Sequence, residues 1–307
     1  MHIILVAPRG FCAGVNMAIE SLEQALERYG SPVYVYHEIV HNRWVVERFR
    51  QRGVVFVDGL GEVPAGATLL FSAHGVAPEV RRCAKERKLR VIDATCPLVT
   101  KVHREAIRLA GDGYTIVLIG HAGHDEVEGT LGEAPESIVL VQNVEDVERV
   151  EPADSLRVAY LTQTTLSVTD AQAIIGRLKQ RFPAIIGPAK DDICYATQNR
   201  QTAVRDFAPG ADLVLVVGSR NSSNSRRLAE MGSATGVPSH LIDGPEDIDV
   251  DWFETVRTVL MTAGASAPED VVQQCVAWLA ERFDATVEER SICEEQVRFS
   301  LPQVGES

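Results

Sequence analysis

The sequence predicts an α/β protein with mostly parallel β-sheet, organised as three similar βαβ lobes. Apolar runs of strand length, such as IILVA, TLLFS, TIVLIG and DLVLVVG, alternate with stretches of helical period such as MAIESLEQALERYG and DAQAIIGRLKQRF. This alternation is typical of βα repeats whose strands are buried on both faces. A cysteine also recurs between a strand-like run and a helix-like run, at intervals of 96 − 12 = 84 and 194 − 96 = 98 residues. The spacing indicates a repeat of about the size of one lobe.

The cysteines also set the predicted boundaries. Lobe 1 spans residues 1–96, lobe 2 spans 97–193 and lobe 3 spans 194–283. Residues 284–307 are expected to form a C-terminal strand and tail, with the strand near the alternating segment VRFSL (Val297–Leu301).

Composition excludes several classes of protein. A chain of 307 residues with 45% hydrophobic and 24% charged residues can bury a normal core. No run approaches the ~20 apolar residues of a membrane span, and Met1 leads into the first strand without a basic leader, so we expect a cytoplasmic protein with no membrane partner. A net charge of −13 argues against a nucleic-acid partner, because no basic surplus is present to neutralise phosphates.

Cys12, Cys96 and Cys194 are predicted to be metal ligands. Each is expected at a helix N-terminus, where unpaired backbone N–H groups stabilise a thiolate. Free cysteines are usually small core residues, and that reading suits Cys83, Cys275 and Cys293.

The spacing alone leaves the metal open. Zinc favours four ligands, often from paired cysteines that are missing here, and iron–sulfur clusters are usually held by four cysteines. A cluster held by three cysteines would leave one iron without a thiolate, open to a substrate oxygen.

Polar loops follow the other predicted strands. Ligands of parallel α/β sheets bind at the carboxyl ends of the strands, so these loops are candidates to line a pocket. Their candidate residues are His41, His74, His124, Glu126, Thr164, Thr165, Ser222, Ser223, Asn224 and Ser266. The loop GSRNSSNS is interpreted as a phosphate-binding βα loop, although such a composition also suits a flexible turn. Glu126 is a better candidate proton donor than Glu128, or else an ordinary partner of a helix dipole.

The other polar features have simpler interpretations. The basic run Arg81–Arg90 is either a docking patch for a small electron-transfer partner or a solvated helix face. The histidines interpreted as structural are His2, His37, His103 and His240.

Nine ordered motifs resemble those of one family. They are PRGFCAGV, HEIVHN, FSAHGV, DATCPLVTKVH, GHAGH-x-EVEGT, QTTLSV, DDICYAT, GSRNSSNS and AGASAP, between Met1 and about Cys275. Together they resemble the LytB family, the 4-hydroxy-3-methylbut-2-enyl diphosphate reductases of the methylerythritol phosphate route to isoprenoids. The resemblance implies a three-lobed α/β trefoil around a central 4Fe–4S cluster. Asp125 departs from the family pattern, which commonly has proline there.

The resemblance also implies an activity and roles for residues. The activity is reductive dehydroxylation of an allylic diphosphate to isopentenyl and dimethylallyl diphosphates, with electrons from a donor such as ferredoxin or flavodoxin. Cys12, Cys96 and Cys194 match the cluster ligands, and one iron stays open. Glu126 matches the proton donor, and Thr164 matches the residue that binds the substrate hydroxyl. The residues that match the diphosphate site are His41, His74, Ser222, Ser223, Asn224 and Ser266, with His124 also in the pocket.

Two other classes of protein fit part of the pattern. A non-redox iron–sulfur hydro-lyase could use the same open iron without a reductant. A zinc or redox-sensing binding module would need only the cysteines.

Overall fold

Residues 1–302 are described by the structure, a computed structural model. Over these residues the chain forms twelve β-strands and nine α-helices. The strands are β1 (His2–Ala7), β2 (Val33–Tyr36), β3 (Val54–Val57), β4 (Thr68–Phe71), β5 (Arg90–Asp93), β6 (Thr115–Ile119), β7 (Ile138–Val141), β8 (Val158–Thr162), β9 (Leu213–Val217), β10 (Ser239–Ile242), β11 (Thr258–Ala263) and β12 (Thr286–Ser291). The helices are α1 (Ala13–Tyr29), α2 (Arg43–Gln51), α3 (Pro78–Glu86), α4 (Pro97–Gly111), α5 (Asp125–Glu133), α6 (Val168–Arg181), α7 (Tyr195–Phe207), α8 (Ser223–Ala234) and α9 (Glu269–Phe283).

The strands form three separate sheets, and every named strand pair is parallel. One sheet has the order β10-β9-β11-β1-β12, the second β3-β2-β4-β5 and the third β7-β6-β8. The predicted α/β class with mostly parallel sheet is therefore confirmed. The proposed lobe boundaries remain a prediction, and β1 pairs with β11 and β12 rather than with β2–β5.

The chain divides into two compact units. Unit 1 comprises Met1–Val15, His41–Arg48 and Tyr195–Arg298, and it contains the five-stranded sheet. Unit 2 comprises Asn16–Val40 and Phe49–Cys194 together with the residues after Arg298, and it contains the other two sheets.

Burial on both faces explains the continuous apolar run of β9. Leu213, Leu215 and Val217 pack into one core cluster of unit 1, whereas Val214 and Val216 pack into a second cluster. Successive side chains of a strand point to opposite faces, so two separate clusters require the sheet to be covered on both sides.

The predicted C-terminal strand is in the wrong place. Residues 297–301 contain no strand, and the strand that follows α9 is β12, which pairs with β1 through six residue pairs. Five of the six residues of β12 are exposed, and five of the six have charged or hydroxylated side chains. Because β12 buries little side-chain surface, hydrophobic alternation gives no signal for it.

The strand predicted just before Cys194 is also not formed as a regular strand. Only an isolated parallel bridge between Ala159 and Ile186 occurs in that region. A Cβ atom on Gly187 would lie 2.3 Å from the ring of Tyr160, so this position has no room for a side chain. The helix predicted after Cys194 is present as α7.

Candidate active site

All three predicted ligand cysteines lie at helix starts. Cys96 is the N-cap residue of α4, and Cys12 and Cys194 directly precede α1 and α7. None of the six cysteines forms a disulfide. Unpaired N–H groups and the dipole at a helix start favour an anionic sulfur, so the three positions suit metal ligation. Cys275, by contrast, is fully buried in the core of unit 1, which fits its predicted structural role and raises the pKa of its thiol to about 12.

In unit 2 the backbone amides of two cysteines form hydrogen bonds to predicted pocket loops. The amide of Cys96 donates to the carbonyl oxygen of Ala73 at 3.0 Å, one residue before His74. The amide of Cys194 donates to the carbonyl oxygen of Thr164 at 3.0 Å. The structure thus brings the cysteine backbones next to two residues that the motifs selected.

Glu126 is a buried carboxyl group bound by Thr164. Its side chain lies in the first turn of α5, and the residue is 3% exposed. The Thr164 amide donates to Oε1 at 2.7 Å, and the Thr164 hydroxyl donates to Oε2 at 2.9 Å. Burial raises the pKa of Glu126 to about 7, although the two hydrogen bonds from Thr164 lower it. Glu126 therefore keeps its proton to a much higher pH than an ordinary glutamate and loses it near pH 7.

A histidine and carboxylate group lies around the start of α5. His124 is the N-cap residue, and its Nδ1 accepts a hydrogen bond from the amide of Glu126 at 3.2 Å. The ring centroids of His124 and His74 are 6.0 Å apart in an edge-to-face arrangement. Oδ1 of Asp125 lies 2.7 Å from Nδ1 of His37, and Oδ2 lies 3.7 Å from Nδ1 of His74. The Asp125 carboxylate accepts a hydrogen bond from the His37 ring and thereby raises the pKa of His37.

Two of these residues were missed as site residues. His37 was assigned a structural role, and Asp125 was noted only as a departure from the family pattern. The sequence contains HEIVHN and HDEV as separate motifs, and only the fold brings them into contact.

Asp192 is a third residue that sequence reasoning missed. It lies two residues before Cys194 and is 4% exposed. Its carboxylate accepts a hydrogen bond from the amide of Thr162 at 3.1 Å and pairs with Nζ of Lys101 at 3.1 Å. Burial raises the pKa of Asp192, and its charge in turn contributes to the raised pKa of Glu126. The DDICYAT motif contained this signal, because the acid directly precedes the cysteine junction.

In unit 1 the predicted phosphate loop lies between β9 and α8, as expected. Ser222 is the N-cap residue of α8, and its hydroxyl accepts a hydrogen bond from the amide of Ser225 at 3.3 Å. The hydroxyl of Ser266 lies 3.4 Å from that of Ser222 and donates to the carbonyl oxygen of His41 at 2.9 Å. These contacts gather residues from three separate motifs at one helix start.

Asn224 connects the same helix start to the loop after β11 and to the first turn of α7. Its Oδ1 accepts a hydrogen bond from the amide of Ala265 at 2.9 Å, and its Nδ2 donates to the hydroxyl of Thr197 at 3.2 Å. Ser223 and Asn224 are 2% and 3% exposed, respectively. Buried donors at a helix N-terminus form a site suited to an anion.

Each unit therefore holds part of the predicted set. Unit 2 contains Cys96, Cys194, His74, His124, Glu126 and Thr164. Unit 1 contains Cys12, His41, Ser222, Ser223, Asn224 and Ser266.

The basic run Arg81–Arg90 is largely engaged within the protein. Arg81 pairs with Glu133, Arg82 pairs with Glu79 and Glu86, and Arg87 donates to the carbonyl oxygen of Val63. The guanidinium of Arg90 lies over the ring of Tyr29. The solvated helix face is the better interpretation of this run, because two of its arginines pair with carboxylates and two more contact a carbonyl oxygen or an aromatic ring of the protein.

Parallel α/β sheets, cysteines at helix starts and a buried, protonatable carboxyl group are features of an α/β enzyme. The chain belongs to the LytB protein family, whose model matches residues 3–280. The family resemblance given by the nine motifs is thereby confirmed, and LytB family enzymes are iron–sulfur proteins.

Curated relatives match nearly the whole chain. The 4-hydroxy-3-methylbut-2-enyl diphosphate reductase of Rhodopirellula baltica is 61% identical over 303 residues, covering 99% of this chain and 95% of that protein. The enzyme of the same name from Aromatoleum aromaticum is 55% identical over 302 residues, covering 98% of this chain and 97% of that protein.

Two solved structures also match. The structure of the E-1-hydroxy-2-methyl-but-2-enyl-4-diphosphate reductase from Plasmodium falciparum superposes with a TM-score of 0.96 at 40% identity, covering 98% of this chain and 96% of that one. A structure described as that of (E)-4-hydroxy-3-methyl-but-2-enyl diphosphate reductase, the terminal enzyme of the non-mevalonate pathway, has a TM-score of 0.64 at 32% identity, covering 92% of this chain and 100% of that one. Within residues 1–302, none of the helices has the length and apolar character needed to cross a membrane.

Proposed function

We propose that this protein catalyses the reductive dehydroxylation of (E)-4-hydroxy-3-methylbut-2-enyl diphosphate to isopentenyl and dimethylallyl diphosphates, the last step of the methylerythritol phosphate route. The reaction consumes two electrons and two protons, breaks the allylic C–O bond and releases water. The observation that carries the proposal is the buried Glu126, held by Thr164, with a pKa of about 7. Loss of an allylic hydroxyl group needs such an acid, because hydroxide is a poor leaving group.

Cys12, Cys96 and Cys194 are the proposed ligands of a 4Fe–4S cluster with one iron free of protein thiolate. The donor set fits the group, since three free thiols at helix starts are the soft anionic ligands that iron–sulfur clusters require. When bound, the cluster supplies electrons and a Lewis-acidic iron for the substrate oxygen.

Glu126 is the proposed proton donor to the departing hydroxyl group. Its carboxyl group is 3% exposed, so water does not compete strongly for its proton. Thr164 is proposed to bind the substrate hydroxyl. Its own hydroxyl lies 2.9 Å from the Glu126 carboxylate, so a substrate hydroxyl bound to Thr164 would lie near the proposed proton donor. His124 stabilises the start of the helix that carries Glu126, because its Nδ1 accepts a hydrogen bond from the Glu126 amide.

The diphosphate is proposed to bind through histidines, hydroxyl groups and one amide. Buried donors at the start of α8 support this assignment, as does the match of these residues to the family motifs. Neutral and cationic donors of this kind need no bridging magnesium ion. The proposed diphosphate ligands are His41, His74, His124, Ser222, Ser223, Asn224 and Ser266.

A small electron carrier such as ferredoxin or flavodoxin is the proposed electron donor. The proposed location is the cytoplasm, because thiols that ligate a cluster must be kept reduced. Six free cysteines in the chain are consistent with a reducing compartment.

Anaerobic purification tests the proposal directly. We expect iron and sulfide in nearly equal amounts, a visible absorption band that oxygen bleaches, and turnover of the diphosphate only when a reductant is supplied. Turnover without a reductant would indicate a hydro-lyase instead. Stoichiometric zinc with negligible iron would indicate a binding module.

A further inference from the structure

Arg200 is a buried cation in unit 1, and it contacts the backbone near a proposed cluster ligand. Its side chain, on α7, is fully buried. Nη2 donates to the carbonyl oxygen of Gly10 at 2.7 Å, and Nη1 donates to the carbonyl oxygen of Ala196 at 2.9 Å. Gly10 lies two residues before Cys12. One guanidinium therefore links the first turn of α7 to the loop that leads to the thiol.

The Cys12 loop turns through a glycine in the left-handed region of backbone conformation. Gly10 has a φ of +68°, and a Cβ atom there would lie 3.3 Å from the carbonyl oxygen of Ala267. The amide of Cys12 donates to the carbonyl oxygen of Ala265 at 3.2 Å. The carbonyl oxygen of Gly10 faces α7, and it accepts its hydrogen bond from Arg200 on that helix.

The counter-charge for Arg200 comes from the C-terminal segment. Both oxygens of Glu295 lie within hydrogen-bond distance of Nη1 of Arg200, at 3.1 and 3.3 Å. Nδ2 of Asn199 also donates to Glu295 at 3.0 Å. Glu295 follows β12 in a segment without helix or strand, beyond the residues that the family model matches. A buried cation is costly without such a partner, because it has lost its hydration.

We propose that Arg200 and Glu295 are positioning residues for Cys12. The ion pair keeps the guanidinium in place, the guanidinium holds the Gly10 carbonyl, and the Cys12 thiol is thereby presented in a fixed position to the metal centre. The C-terminal segment, which lies beyond the nine motifs, would thus help to retain the cluster through Glu295. This inference rests on the proposed function, because it takes Cys12 to be a cluster ligand.

The test variant is Glu295→Gln, which keeps the size of the side chain and removes its charge. The matched control is Glu294→Gln, a change at an exposed neighbour. In iron-free protein, the rate at which iodoacetamide alkylates Cys12 is followed by peptide mass spectrometry, with Cys96 as the internal reference. We expect Cys12 to react about tenfold faster in Glu295→Gln, as loop opening increases when a charge-assisted hydrogen bond weakens. Reconstituted Glu295→Gln should also lose iron faster in air than the control does.

A second variant covers the case in which Glu295→Gln fails to fold. Asn199→Ala removes only the amide that orients Glu295, and a smaller increase in the alkylation of Cys12 is expected. Equal alkylation rates and equal iron retention in Glu295→Gln and Glu294→Gln would overturn the inference. Wild-type protein that never binds iron would overturn the proposed function, while the alkylation experiment would still report on the loop.

Discussion

Thr164 donates both its amide and its hydroxyl hydrogen to the carboxylate of Glu126, at 2.7 and 2.9 Å. The carbonyl oxygen of the same threonine accepts the amide of Cys194 at 3.0 Å. One residue therefore contacts the proposed acid through two groups and the backbone of a proposed cluster ligand through the third. A change at position 164 should affect protonation and geometry together.

Replacing Glu126 with glutamine should slow turnover without removing the cluster. The amide keeps the shape of the side chain but cannot supply a proton at neutral pH, and a positioned general acid contributes about 10² to 10⁴-fold in rate. We expect turnover with an artificial reductant to fall at least about a hundredfold. Iron content and substrate-induced spectral changes should remain as in the wild type.

Glu128→Gln is the matched control for this variant. Glu128 is two residues further along α5, is exposed, and accepts the amide of Gly123 at 3.3 Å. Its turnover should stay close to that of the wild type. If turnover fell in Glu128→Gln and stayed near normal in Glu126→Gln, the acid role would be assigned to Glu128 instead.

The pH dependence of turnover should show an acidic group with a pKa of about 7. The raised pKa of Glu126 means that the proton is present below this pH and lost above it, so the rate should fall as pH rises through about 7. Thr164→Val removes the hydroxyl hydrogen bond that lowers this pKa, so the midpoint should move to higher pH. A midpoint that stays unchanged in Thr164→Val would contradict the assignment of the titrating group.

The same group gives a stability prediction with a definite sign. The ordinary pKa of 4.5 applies to the unfolded chain, whereas the folded value is about 7. Between these values the folded protein keeps a proton that the unfolded chain has lost, so this group's contribution to the free energy of unfolding decreases as pH rises. Urea denaturation at several pH values should show this decrease in the wild type and a smaller one in Glu126→Gln.

Serine at position 12, 96 or 194 should abolish or severely reduce iron binding. A serine hydroxyl is a poor replacement for a thiolate as a ligand of iron. Cys83→Ser and Cys293→Ser are the controls and should keep iron and activity. Cys275→Ala should cost about 1 kcal/mol of unfolding free energy, because it removes a buried sulfur, yet keep the iron. Iron and sulfide analysis of anaerobic preparations distinguishes these outcomes.

Asn224→Asp should weaken the binding of the diphosphate. The amide can still use one of its two Nδ2 hydrogens after donating to Thr197, and aspartate would replace that donor with a negative charge. A hydrogen bond to a charged group is worth roughly 1.5 to 3 kcal/mol, so affinity should fall about tenfold or more. The control is Asn221→Asp in the exposed part of the same loop. Equal affinities of the two variants in calorimetric titrations would contradict the assignment of Asn224.

Asp125→Asn should lower the pKa of His37. The carboxylate lies 2.7 Å from the ring and raises that pKa, so the stability it contributes is present below pH 6.5 and is lost as pH rises through the raised value. NMR titration of iron-free protein should show the shift at His37 and none at His240, which lies in unit 1. An unchanged titration of His37 would mean that the hydrogen bond does not persist in solution.

The sequence predicted the elements that bury apolar residues and the positions of the cysteines. It failed at β12, because an edge strand exposed on both faces has no hydrophobic periodicity, and at the segment before Cys194, where only an isolated bridge between Ala159 and Ile186 forms. The family resemblance selected Glu126 and Thr164, but their contact depends on packing between α5 and the loop after β8. His37 and Asp192 were missed because a polar residue becomes part of a site only through its neighbours in space.

The position of β1 between β11 and β12 has a consequence for biosynthesis. β1 is made long before its two partners leave the ribosome, and parallel partners so distant in sequence cannot pair early. Until both partners have been made, the apolar β1 segment has no hydrogen-bonded neighbours, and such a segment favours aggregation or chaperone binding. If Cys12 is a cluster ligand, as proposed, the cofactor would be inserted there only after residues 258–291 have been made and β1 has both of its partners.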